Sequence, residues 1–213
     1  MDTDDLPIIP QEPPAAASIR AGVNTRRLIF VLAGVLLGML LSVLDQTIVG
    51  TAMPRVITDL QGLSHYAWVF TAYMLASTVT VPIYGKLSDI YGRRIFYIAG
   101  MVIFLIGSAL SGTSQNMTQL IIFRAIQGLG AGAMMPIAIA IVGDIFPSAE
   151  RGKWPGLTAS VFDVASIVGP ALGGWITDNL SWRCVLYVNM PIGVLAILTV
   201  GIALRKMAHQ QQR

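Results

Sequence analysis

The chain is poor in most of what soluble proteins and enzymes rely on. Its 213 residues hold one cysteine, Cys184, so no intrachain disulfide framework can form. There are two histidines, His65 and His209, far apart in sequence, and no Cys/His cluster has metal-ligand spacing. No nucleophile–base pair and no phosphate-cradling glycine loop stands out, so nothing supports an enzyme or a bound cofactor. Charge is scarce as well. Only 12% of residues are Asp, Glu, Lys or Arg, against about 25% in soluble domains. The net charge of +3 does not point to nucleic acid, because the basic residues sit in short clusters without interleaved stacking aromatics.

What remains is apolar: 54% hydrophobic residues and a mean hydropathy of +0.68. That balance indicates an integral membrane protein in a lipid bilayer. Six apolar segments are expected at about 28–53, 66–85, 95–112, 117–142, 154–176 and 184–204. A helical span needs roughly 20 residues to cross about 30 Å of hydrocarbon, whereas a barrel strand needs only about 9–11. Length therefore selects helices, and the fold class expected is an all-α membrane protein. Residues 1–24 carry Pro7, Pro10, Pro13 and Pro14 with Asp2, Asp4, Asp5 and Glu12. That stretch reads as a disordered tail, followed by a bundle over 25–207 and a short end at 208–213.

Orientation follows from Lys and Arg, which accumulate on the cytoplasmic side. Arg20, Arg26, Arg27, Lys86, Arg93, Arg94, Arg151, Lys153, Arg205, Lys206 and Arg213 fall on one side, and Arg55 and Arg183 on the other. Both termini are thus expected in the cytoplasm. Glu150 and Arg151, in the turn between spans four and five, read as a solvated pair, and Asp144 as a brace for Arg93/Arg94.

The most informative stretch is Gly85-Lys86-Leu87-Ser88-Asp89-Ile90-Tyr91-Gly92-Arg93-Arg94. It reads as a charged loop between spans two and three, with Gly85 and Gly92 permitting a tight reversal. Its order is echoed by Gly174, Asp178 and Arg183, 89 residues later. Ala52-Met53-Pro54 is similarly echoed by Met134-Met135-Pro136. Two three-helix units of opposite orientation account for both echoes. The loop resembles the one between helices two and three of the major facilitator superfamily of secondary transporters, except that Ile90 stands where that family often has a basic residue.

Three ionisable residues fall within spans, where burial without a partner is costly. Asp45 lies 17 residues past Leu28, about 26 Å along a helix. The stretch Leu44 to Pro54 resembles the first-helix motif of the fourteen-helix drug–proton antiporter branch. The resemblance implies a carboxylate that takes up and releases protons; the competing reading is a helix-end acid among outer headgroups. Arg124 lies seven residues into span four, about 10 Å from its outer end. With Gly128 and Gly132 it recurs every four positions on one face, a seam for close helix approach. The stretch resembles the family's fourth-helix proton-relay motif; the competing reading is an arginine that snorkels outward.

Asp163 lies nine residues past Trp154, about 14 Å in and near mid-membrane. It points away from the small-residue face of Ala165, Gly169 and Gly173. With Gly156, Pro170 and Gly174, that face resembles the antiporter motif of helix five, Ala165 standing where Gly is usual. The acid is either a substrate-cation or second proton site, or a residue that hampers insertion. Gln46, Tyr73 and Gln127 complete the candidate cavity. Trp68 and Tyr84 are weaker aromatic candidates, and Tyr66 and Trp68 suit the interfacial belt.

The resemblance implies the amino-terminal half of a proton-driven bacterial exporter of small organic compounds, cationic or lipophilic, in the cytoplasmic membrane. It needs a second six-helix half, either a carboxy-terminal one or a second copy. A non-transporting interaction subunit, an inactive truncated fragment and a carrier of a different small solute are the alternatives.

Overall fold

A computed structural model describes residues 25–145, 152 and 154–208. The 1–24 tail, the Glu150/Arg151 turn and residues 209–213 lie outside the described residues. The described chain is helical. α1 spans Thr25–Leu60, α2 Tyr66–Tyr91, α3 Arg93–Thr113, α4 Met117–Ile145, α5 Trp154–Asn179, α6 Trp182–Tyr187 and α7 Asn189–Ala208. Six stretches among them are long and apolar enough to cross a membrane, α6 and α7 together forming the sixth.

Helix is the form these sequences must take, because backbone N–H and C=O groups in hydrocarbon have no water to bond and must pair within the segment. Pro54, Pro82, Pro136 and Pro170 all lie inside helices, which membrane helices tolerate where neighbours satisfy the freed groups. The sixth span is the exception. It is interrupted at Val188, and Pro191 explains the break. Its ring lacks an N–H and crowds the carbonyl four residues earlier, that of Tyr187.

One expectation is corrected. The charged loop at Gly85–Arg94 is almost entirely helical, because α2 continues to Tyr91 and α3 starts at Arg93. The reversal is made by Gly92 alone, at φ 99°, a conformation that costs glycine little. Its N–H donates to the Ser88 carbonyl at 3.0 Å. α1 also runs well beyond its expected end at 53, to Leu60.

The packing repeats the sequence echo. α1 takes α5 and α7 as neighbours, whereas α4 takes α2 and α3. The first helix of each three-helix unit therefore packs against the second and third helices of the other. α1 meets α4, and α3 meets α7, the pairs such a two-fold relation maps onto themselves. The fold is thus six spans in two interlocked inverted units.

Glycine faces let these helices close up. A side chain at Gly128 would strike the Tyr73 backbone, and one at Gly132 would strike Ser77 and Thr80, so α4 sits directly on α2. Gly169 and Gly173 do the same for α5 against Thr47, Ile48 and Thr51 of α1. Thr47 Oγ1 donates to the Ala165 carbonyl across that seam at 3.2 Å. Within a bilayer such close contact holds helices by van der Waals packing rather than by expelling water.

Two large apolar cores and a small cluster of Val43, Leu44 and Ala165 fill the bundle. One, built on Val31, Val35, Tyr97, Met101, Phe104, Ile137 and Ile141, lies toward the face bearing the α2–α3 turn. The other, built on Ile48, Ala52, Val56, Leu120, Trp182 and Val185, lies toward the opposite face. Between them is a layer of polar side chains.

Candidate functional site

That layer starts at Asp45, which α1 carries into the bundle with its side chain fully buried. Arg124 reaches it from α4, Nη1 standing 2.6 Å from Asp45 Oδ2, and is also fully buried. Gln127, one turn further along α4, donates from Nε2 to Asp45 Oδ1 at 2.9 Å. Its own Oε1 accepts from Arg124 Nη1 at 2.8 Å. Asn189, the first residue of α7, donates from Nδ2 to Asp45 Oδ1 at 2.7 Å. The same Nδ2 donates to Ser108 Oγ of α3 at 2.9 Å, and Ser108 Oγ donates to the Leu186 carbonyl at 2.7 Å. From the second helix, the Tyr73 ring lies under the guanidinium, 4.3 Å from Arg124 Cζ. A cation over an aromatic face gains most where water is excluded, as here.

Helices from both units thus meet at one carboxylate. Three donors converge on it, so the arrangement is built around the charged acid. Several neighbouring groups are unsatisfied. Arg124 Nε and Nη2, Tyr73 Oη and Asn189 Oδ1 are buried with no hydrogen-bond partner among the described residues. Of these, the Tyr73 hydroxyl has the Ser42 and Gln46 side chains within reach, without a well-formed bond to either. A buried donor or acceptor without a partner costs about 1–3 kcal/mol. The site therefore holds unspent bonding capacity beside a buried ion pair.

The other candidates lie outside this layer. Asp163 is exposed on the bundle surface and is not brought to Arg124, which is engaged with Asp45; Gln46 is also exposed, but at the edge of the site beside the Tyr73 hydroxyl. Tyr84 is half-buried and meets Phe96 edge-on with centroids 6.3 Å apart. Trp68 and Tyr66 are exposed near the start of α2. At the far end of the bundle, Arg93 Nη1 lies 2.5 Å from Asp144 and Nη2 lies 3.3 Å from Asp89, and Arg93 also donates to the Ala140 carbonyl. This ties the α2–α3 turn to the end of α4, the brace the sequence suggested for Asp144. Arg94 does not share it; its Nε is buried without a partner among the described residues. Gly85 and Gly156 face open space, and Gly174 touches only Thr51. A cavity of about 430 Å³ opens between α1, α4 and α5, lined by Met39, Met135, Ile139, Val142 and Trp154. No group of three metal-ligating side chains occurs among the described residues.

Residues 35–213 match the family model described as Major Facilitator Superfamily. The chain belongs to that superfamily. It is 46% identical over 186 residues to the multidrug transporter protein MdtP of Bacillus subtilis, covering 87% of this chain and 34% of that protein. It is 52% identical over 185 residues to multidrug resistance protein 3 of Bacillus subtilis, covering 86% of this chain and 36% of that one. The chain thus spans about a third of the length of these superfamily relatives. Its fold matches the proton:xylose symporter XylE with a TM-score of 0.71 at 16% identity, over 86% of this chain and 45% of that one. Its six spans match one half of that fold.

Asn189 and Ser108 were not among the candidate site residues of the sequence; Ser108 stood out only as part of the polar end of the third span. Neither is charged, and they lie 144 and 63 residues from Asp45 (189 − 45 and 108 − 45). The Asn189-Met190-Pro191 triplet was the available signal, since proline within an apolar span marks a place where helical bonding is given up.

Proposed function

We propose that this bundle is the amino-terminal half of a proton-coupled exporter of small lipophilic or cationic compounds in the bacterial cytoplasmic membrane, both termini facing the cytoplasm. The observation that carries the reading is the fully buried Asp45 carboxylate held by Arg124, Gln127 and Asn189 where the two units meet. A carboxylate so placed is the natural proton carrier. Protonating it removes the charge that Arg124 answers. Breaking a buried pair costs about 3–5 kcal/mol, so the bundle must rearrange to recover that energy. A proton moving down about 100 mV supplies roughly 2.3 kcal/mol, the same order. Proton binding and a change of conformation are therefore of comparable size, as coupling requires.

Alternating access needs a second six-helix bundle rocking against this one around a midplane site, a carboxy-terminal half or a second copy. The proton gradient supplies the energy. Asp163, exposed on α5 without a partner among the described residues, suits a cationic cargo. The multidrug names of the Bacillus relatives agree with a cargo of varied small compounds.

The test is uptake of a fluorescent cationic dye into inverted membrane vesicles. Uptake driven by a proton gradient, collapsed by a protonophore and abolished by Asp45→Asn is the expected result. Proton-driven uptake that survives Asp45→Asn at the wild-type rate would refute it.

A further inference from the structure

We propose that Asn189 and Ser108 carry the protonation state of Asp45 to the break in the sixth span. This rests on the reading of Asp45 as the proton site. With Asp45 ionised, hydrogen-bond accounting fixes the network. The carboxylate can only accept, so Asn189 must present Nδ2 to it. Ser108 spends its single hydrogen on the Leu186 carbonyl and so also accepts from Asn189 Nδ2. Asn189 Oδ1 is left buried and unpartnered.

A protonated Asp45 inverts these demands, because its new O–H on Oδ1 needs an acceptor. The Gln127 carbonyl already accepts from Arg124. Asn189 Oδ1 is the acceptor left unused. Turning the amide over brings Oδ1 to face both Asp45 and Ser108. The Ser108 hydroxyl then swings its hydrogen from Leu186 to Asn189, and the Leu186 carbonyl loses its donor.

That carbonyl sits beside the break in the sixth span. It lies two residues before the interruption at Val188, where Pro191 has already removed helical bonding. Among the described bonds, Ser108 is the group that satisfies it across the helix interface. Losing that bond frees α6 and α7 to shift relative to each other. Other charged and titratable groups facing Asp45 are Arg124 from α4 and Tyr73 from α2. α3 and α7 contribute the non-titrating Ser108 and Asn189, and Asp163 of α5 is exposed.

The chain supplies its own reporter. Cys184, its sole cysteine, lies half-exposed in α6, two residues before Leu186. The full chain is placed in lipid nanodiscs with a nitroxide on Cys184. Infrared difference spectra follow the Asp45 acid band with pH, and electron paramagnetic resonance follows nitroxide mobility. In the wild type, mobility should change over the pH interval in which the acid band appears, and Asp45→Asn should remove both. Ser108→Ala should keep the acid band and lose the mobility response, and Ser108→Thr should restore it. A full mobility response in Ser108→Ala overturns the relay while leaving the proton site standing. Absence of any Asp45 acid band in the wild type overturns the proton-site reading, and the relay with it.

Discussion

Two arginines of this bundle each meet acidic partners, in opposite surroundings. Arg124 and Asp45 are both fully buried. Arg93 is a quarter exposed, and its partners Asp89 and Asp144 are 63% and 57% exposed. The chemistry of the pairs is the same and their worth is not. Arg93 and its acids can turn to solvent and headgroups when parted, so their geometry braces a turn at little energetic gain. Arg124 and Asp45 have nowhere else to go. A bundle built to be merely stable would fill that position with apolar side chains, since a buried pair is often no better than its hydrophobic replacement. Its presence among the apolar cores fits the proposed proton-coupled function, in which the pair has to be broken.

The contrast can be broken most forcefully at Arg124. Arg124→Leu strands Asp45 in the interior and should cost about 3–5 kcal/mol. That would appear as a large drop in the thermal unfolding midpoint of the purified protein in detergent. A shift as small as that of a surface variant would show that the carboxylate finds another partner.

A middle-sized effect belongs to the seam that holds the pair in register. A side chain at Gly128 meets the backbone of Tyr73, which cannot step aside. Gly128→Ala should therefore destabilise by about 1–3 kcal/mol, the usual range for overpacking. Gly156, from the small-residue set of α5, faces open space. There Gly156→Ala should be neutral or stabilise by up to about 1 kcal/mol, since alanine is the better helix former. Equal effects at the two sites, read by the same unfolding assay, would remove the distinction between seam and surface.

The smallest effect is expected at the exposed cluster. Asp144→Asn should change stability by under about 1 kcal/mol, and added salt should erase the difference because exposed charges are screened. An effect as large as that of Arg124→Leu would mean that the turn between α2 and α3 is locked as tightly as the interior.

Much of this was legible in the residues. Span number followed from apolar length; depth and family resemblance favoured burial of Asp45 and Arg124 over a headgroup acid and a snorkelling arginine, and both are buried. The glycine faces of α4 and α5 announced close packing through simple helical spacing. The rest depended on tertiary placement. Gly85–Arg94 reads as a loop because it is charged and carries two glycines, yet charge at a membrane surface does not forbid helix, and one glycine at positive φ suffices for the reversal. Gln127 was nameable only as a cavity residue, although it bonds both members of the ion pair. Asn189 and Ser108, 81 residues apart, show no period and no charge. Only the interlocking of the two units brings Asn189 to the Asp45 carboxylate and Ser108 to Asn189.

On the proposed function, the Asp45–Arg124 pair serves switching and does not hold the bundle together. The most direct measurement is the paired replacement Asp45→Asn with Arg124→Gln, assayed for unfolding and for proton-driven dye transport in one preparation. Neutral partners can still exchange hydrogen bonds in the same layer, so stability should return to near the wild-type value while proton-driven transport stays absent. Transport at the wild-type rate in the doubly neutral variant, with its dependence on the proton gradient intact, would contradict the account.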